Sequence, residues 1–220
     1  MTFNVKKNIF KASKVDGITL LEELGKQSTL DDDISTVHLY CCEFKKPSHV
    51  QSFLLHLQSR MIIKTLVVEN MDGSSFQLLV KGICQSSSLQ LDVELICRRP
   101  IYTMGMMKFA WQLPQLTRLK LVDAFGMDPK LLDTVLKVLR ESITLRQVQI
   151  RGMFRGSVLV ELAVALASGM HYDTPILEIQ DEMDHQQQYR EEIIQRLTNR
   201  DIGWYPIHLK VGGETYNLLQ

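Results

Sequence analysis

The sequence predicts an α/β fold of stacked strand–helix units, with a parallel sheet on the concave side and helices on the convex side. Three observations predict it. Short segments with apolar residues at alternating positions recur about every 29 residues. Each is followed by residues whose apolar positions fall at i, i+3, i+4 and i+7, the spacing of one helical face. The period is fixed, which the competing doubly wound α/β arrangement does not require, and neither GxGxxG nor GxxxxGK[ST] is present.

In chain order, residues 1–33 fit the period least well and are expected to form an atypical N-terminal cap. Within them, 3–10 reads as a first strand, and 17–27 as an amphipathic helix through Leu20, Leu21 and Leu24. Residues 34–220 form the repeat domain, about six to seven units with a short C-terminal tail. The clearest unit opens with Ile34, Val37, Leu39, Cys42 and Phe44, which follow L-x-x-L-x-L-x-x-N/C-x-L. Its first three positions recur at Ile63, Leu66 and Val68, at Leu116, Leu119 and Leu121, and at Leu145, Val148 and Ile150. Weaker copies are Val93 with Leu95, Leu177 with Ile179, and Trp204 with Ile207 and Leu209.

The helical halves follow the strands. Val50, Phe53, Leu54 and Leu57 share one face, as do Phe76, Leu79, Val80 and Ile83. The same holds for Leu132, Val135, Leu136 and Leu139, and for Leu159, Leu162, Ala163 and Leu166. Residues 190–197 keep Ile193, Ile194 and Leu197, while the third unit is less clean because Lys108 occupies a position that is apolar elsewhere. Pro129 suits a helix start, and Gly25 and Gly169 suit helix ends. Each unit has one apolar face that it cannot bury alone, so neighbours must stack in register.

On these residues the chain resembles the leucine-rich repeat family, specifically the ribonuclease-inhibitor-like class with long α/β repeats, over roughly 34–211. The resemblance implies a solenoid, or horseshoe. In the family the Asn/Cys position hydrogen-bonds within the turn after each strand. Here it is Cys42 and then Met71, Arg98, Ala124, Met153, Glu182 and Gly212, which implies irregular turns. The repeat is most degenerate at 88–100 and 174–184. The resemblance also implies a non-enzymatic protein-interaction module: a scaffold, an inhibitor, or a recognition subunit such as those that deliver substrates to ubiquitin ligases. No F-box segment is recognisable in 1–33, which counts against the last.

Composition narrows the function classes. The chain has 220 residues, 45% hydrophobic and 23% charged, with 25 Lys plus Arg against 25 Asp plus Glu. No global field draws it to nucleic acid or anionic lipid, so neither partner is expected. No apolar run reaches the length of a membrane span, and the first residues lack a secretory h-region. Cys41, Cys42, Cys84 and Cys97 form no CxxC pair, and no Asn-x-Ser/Thr acceptor occurs. A reducing cytoplasmic setting is expected, with the nucleus as the other option.

No HExxH, GxSxG, Walker lysine or zinc-like His/Cys spacing is present, so no catalytic, cofactor or metal site is expected. His38, Cys41 and Cys42 could suggest a nucleophile or metal site, but Cys42 falls on an inward consensus position and reads as structural. Asp31, Asp32 and Asp33 read as a solvated turn rather than a cation site. Met104, Met106, Met107, Phe109 and Trp111 could form an adaptable surface, yet fit a packed convex helix better. Gly212 and Gly213 read as a plain turn, since only the tail ETYNLLQ follows.

Binding is expected on the concave sheet face, where residues between the consensus apolar positions point. These include His38 and Tyr40, then Lys64, Val67, Glu69 and Glu94, then Arg118, Lys120, Arg146, Gln149 and Arg151. Glu178, Gln180, Asp181, His208 and Lys210 follow. Arg118, Lys120, Arg146 and Arg151 would centre a site for an acidic protein surface, opposed mainly by Asp123, and arginine suits carboxylates through its bidentate donors. Residues 176–195 carry six acids against Arg190 alone. A sheet of seven strands offers on the order of 450 Å², below the ~800 Å² of a standard interface side, so loops or an edge must add to it. The final strand, about 204–211, has no helix after it, and the uncovered edge is expected to reflect either self-association or truncation from a longer array. The alternative is a small α/β enzyme whose site is not identifiable from sequence, with His38 and Cys41 as its nearest candidates. A third reading is nucleic-acid binding through the basic strip, which predicts affinity falling steeply with salt.

Overall fold

The computed structural model describes residues 2–6, 8–27, 34–59, 62–86, 89–122, 129–152, 154, 157–167, 176–179, 191–196, 208–211 and 214–217. The strands are β1 (Thr2–Lys6), β2 (Ile9–Ser13), β3 (Thr36–Tyr40), β4 (Thr65–Glu69), β5 (Asp92–Cys97), β6 (Leu116–Leu121), β7 (Gln147–Gly152), β8 (Ile176–Ile179), β9 (His208–Val211) and β10 (Glu214–Asn217). The helices are α1 (Gly17–Gln27), α2 (Pro47–Ser59), α3 (Gly73–Gln85), α4 (Pro100–Ala110), α5 (Pro129–Glu141) and α6 (Ser157–Ala167), and residues 191–196 are also helical.

All described strands belong to one sheet, in the order β1 to β10. From β2 to β9 neighbours are parallel, while β1 and β10 close the two ends as antiparallel partners of β2 and β9. A doubly wound sheet reverses its strand order at a switch point. Here the order never reverses, so successive same-handed crossovers lay their helices on one face of the sheet. Helices α1 to α6 accordingly pack each against its sequence neighbours.

Alternation assigns the strand faces. Phe10 and Ala12, Val37 and Leu39, Leu66 and Val68, Val93 and Leu95, Leu119 and Leu121, and Val148 and Ile150 point toward the helices and are buried. The helices meet them with Val50, Phe53, Leu54 and Leu57 in α2, and Phe76, Leu79, Val80 and Ile83 in α3. In α5 the buried set is Leu131, Val135, Leu136, Val138 and Leu139, so Leu131 takes the place expected for Leu132, which is only half-buried. Met106 and Met107 of α4 are fully buried, and Met104, Phe109 and Trp111 pack beside them, as expected for a helix of the outer layer. Pro stands first in α2, α4 and α5, where its missing N–H costs nothing. Asp72 caps α3 by accepting from Ser74 N and Ser75 N at 3.0 and 2.9 Å.

Four expectations need correction. Residues 3–10 are not one strand: β1 and β2 form a hairpin, and β2 joins β3 in parallel. The tail after Gly213 is not loose chain but contributes β10, which hydrogen-bonds along β9, so the strand expected at about 204–211 is not a free edge. The turn after β4, expected to be irregular at Met71, instead repeats the turns after β2 and β3. Lys14, Cys41 and Asn70 each take a positive φ, 51° to 55°, directly after their strand. Their N–H groups donate to Tyr40 O, Glu69 O and Ile96 O of the next strand at 2.8, 2.9 and 3.0 Å. Asn70 also accepts from Arg98 N at 2.8 Å, so the turn-bonding residue is Asn70 and not Met71.

The last correction concerns register. Val68 pairs with Leu95 as the repeat predicts, but Leu95 then pairs with Leu119 rather than Leu121, through an irregularity between Val93 and Glu94. Ile150 likewise pairs with Leu177, not Ile179, and Leu209 also pairs with Leu177 rather than Ile179. Each slip is of two residues. Because side chains alternate with period two, such a slip keeps every residue on its expected face while changing its neighbours. They fall beside the two segments where the repeat is most degenerate.

Candidate functional site

The sheet face turned away from the helices carries the polar side chains, and register sets which of them meet. One row crosses the strands as Lys11, His38, Val67, Glu94, Arg118 and Gln147. The next row runs Ser13, Tyr40, Glu69, Ile96, Lys120, Gln149 and Ile176. Arg151 pairs with Glu178 beyond them.

The β2–β5 part of this face is internally paired. Glu69, with only 6% of its side chain exposed, holds His38 Nε2 at 2.8 Å on one oxygen and Arg98 Nε at 2.5 Å on the other. Burial opposes its ionisation, but the hydrogen bonds from His38 and Arg98 outweigh that, and its pKa falls to about 2. Lys11 Nζ lies 5.3 Å from the Tyr40 ring centroid. The Tyr40 phenol is pushed up, first by Cys41 and then by its own burial and Glu69. The groups that bear on the enzyme alternative are thus tied to one another: His38 to Glu69, and Cys41 to Tyr40. Cys42 is buried and accounts for itself structurally, with Sγ 3.5 Å from Ala12 O and burial raising its thiol to about 11.

The β6–β7 part is more open to solvent. Arg118 leaves 53% of its side chain exposed, with a single long contact of 3.7 Å to Glu94. Arg146, just before β7, is exposed, and Lys120, Gln149 and Arg151 are half-buried. Two shallow hollows lie here. One, of about 310 Å³, is lined by Glu94, Arg118, Lys120, Gln147, Gln149 and Ile176. The other, of about 410 Å³, lies among Asp92, Arg118, Thr144 and Arg146. A larger hollow of about 700 Å³ sits where the strands begin, among Leu57, Ile63, Leu91 and Gln115, and holds no cluster of titratable groups.

The structure therefore brings Arg118, Lys120, Gln149 and Arg151 onto two adjacent strands with Arg146 at their entrance. It separates His38 and Tyr40 from them by the width of β4 and β5. Glu178 is positioned by its backbone pairing alone, and Asp31, Asp32, Asp33, Asp123, Gln180, Asp181, Gly169, Gly212 and Gly213 lie outside the described residues. Lys64 precedes β4, and Val67 and Glu69 are buried rather than available for contact.

Sequence reasoning missed Lys11, because β2 was hidden inside a region read as a cap. It missed Arg98 as the partner of Glu69, because that pairing depends on the turn after β5. It missed Ile96 and Ile176, apolar residues on the polar face, because a single apolar residue beside a core strand is assigned to the core by pattern. Among the described residues no three His, Cys, Asp or Glu side chains are grouped to hold a metal ion, and no helix is long and apolar enough to cross a membrane. No family model matches the chain, and comparison with curated proteins and with solved structures returns no significant match.

Proposed function

We propose that this chain is a non-enzymatic protein-binding module of the leucine-rich-repeat type, a short horseshoe whose concave sheet face receives an acidic partner surface. The observation behind this reading is the concentration of cations on two adjacent strands of that face. Glu69 on β4 is paired with His38 and Arg98, while Arg118 on β6 and Arg146 before β7 are exposed to solvent beside Lys120 and Arg151. Arginine presents a planar fork to carboxylates.

The size of the face supports the reading better than a seven-strand count does. Ten strands about 4.8 Å apart span roughly 43 Å, giving on the order of 700 Å², close to the ~800 Å² of a standard interface side. Titration of a fluorescent oligoglutamate by anisotropy tests the idea. Binding should weaken as salt rises and should fall at least about tenfold in the double variant Arg118→Glu with Arg146→Glu. Equal binding by that variant, with an unchanged circular dichroism melt, removes the proposal.

A further inference from the structure

Within one row of the open face, two isoleucines flank a cation and an amide. Ile96 on β5, Lys120 on β6, Gln149 on β7 and Ile176 on β8 are successive cross-strand neighbours. Both isoleucines are half-buried and retain exposed surface on a face otherwise polar at this point. Three strand spacings separate them, about 14 Å, and an extended chain places residues i and i+4 about 13 Å apart on one side. Residue i+2 then falls between Lys120 and Gln149, over the hollow of about 310 Å³. Arg118 and Arg151 lie one alternate position away along β6 and β7 respectively. Among the described residues Lys120 has no ion-pair partner, and a carboxylate arriving over the hollow meets its ammonium.

We infer that the partner segment is an extended acidic stretch laid across the strands, with apolar residues at i and i+4 seated on Ile96 and Ile176 and a carboxylate at i+2 on Lys120. This rests on the acidic-partner reading above and deepens it by giving the segment a spacing. A helix does not fit the same row, since residues four apart on a helix rise only about 6 Å. Crossing the strands leaves the segment's backbone unpaired by the sheet, and the Gln149 amide stands where it can both donate to and accept from that backbone.

Short fluorescent peptides in a Ser/Gly background test the spacing by anisotropy. The matched peptide carries Leu at i and i+4 with Asp at i+2. A second replaces Asp by Asn, a third moves the second Leu by one position, and oligothymidylate serves as an acidic probe without apolar side chains. The expected result is binding of the matched peptide that weakens at least about fivefold for each altered peptide. It should weaken similarly in Ile96→Ser and in Lys120→Glu, whose melts should match the parent. Equal binding of the matched and shifted peptides overturns the spacing while leaving the oligoglutamate result, and with it the acidic-partner reading, intact. Oligothymidylate binding more tightly than the matched peptide and unaffected by Ile96→Ser overturns the peptide occupant. Failure of every peptide alongside a positive oligoglutamate titration also overturns this inference alone, whereas failure of both probes removes the two together.

Discussion

At the scale of single residues, Glu69 shows how a carboxylate can sit inside a sheet face without destabilising it. Desolvation alone would keep it protonated, but His38 and Arg98 each supply a donor to a different oxygen, and the charged form wins. Its pKa falls from 4.5 to about 2 on folding, so the folded state binds this proton less readily than the unfolded chain. The stabilisation is therefore full above pH 4.5 and is lost as pH falls toward 2. At 1.36 kcal/mol per pH unit the shift corresponds to roughly 3 kcal/mol. Glu69→Gln should lose stability of that order at neutral pH, and its urea midpoint should change less than the parent's between pH 4.5 and 2. Parallel pH dependences in the two proteins would show that the three-residue cluster contributes nothing. Cys97 illustrates the opposite outcome: burial with no charged donor raises its thiol to about 12.

At the scale of elements, helix spacing is set by what glycine omits. A Cβ built on Gly105 of α4 would stand 3.0 Å from the backbone of Gly73, at the start of α3, and the relation is mutual. Backbone cannot swing aside as a side chain would, so Gly105→Ala must push α3 and α4 apart. The expected loss is about 1–3 kcal/mol, less the ~1 kcal/mol that alanine returns through helix propensity. Gly25 makes the contrast within α1: nothing lies within 4 Å of its Cβ position. Gly25→Ala should raise stability by about 0.5–1 kcal/mol. Denaturant midpoints at constant m-value separate the two, and a stabilising Gly105→Ala would refute the close-approach account.

At the scale of the molecule, strand order is sequential and, among the described elements, the extensive contacts join chain neighbours. Damage should stay local. Leu20 is fully buried in α1 near one end, and Leu20→Ala removes a core side chain at a cost of about 2–5 kcal/mol. Hydrogen exchange should then quicken in β1, β2 and α1 while amides of β5 to β7 keep their protection. Uniform acceleration throughout would mean a single cooperative unit instead. The two antiparallel ends serve the same architecture: β1 covers β2, and β10 covers β9, so neither parallel terminal strand is left as an edge.

How much of this was legible depended on how local the information is. Alternating apolar residues at Val37 and Leu39, or at Leu119 and Leu121, dictate a strand and its buried face, because period two is a property of the strand itself. The i, i+3, i+4, i+7 sets of α2 and α3 dictate helices for the same reason. The sequence by itself therefore determined the alternation of elements, the parallel sheet and the polar character of its open face, where Arg118 and Lys120 could be named in advance. Tertiary structure decided which side chains meet. The two-residue slips, the left-handed turns at Cys41 and Asn70, the pairing of Glu69 with Arg98 and the row from Ile96 to Ile176 all depend on how one unit settles on the next. That settling is governed by packing across neighbours, and periodicity within a unit carries no record of it.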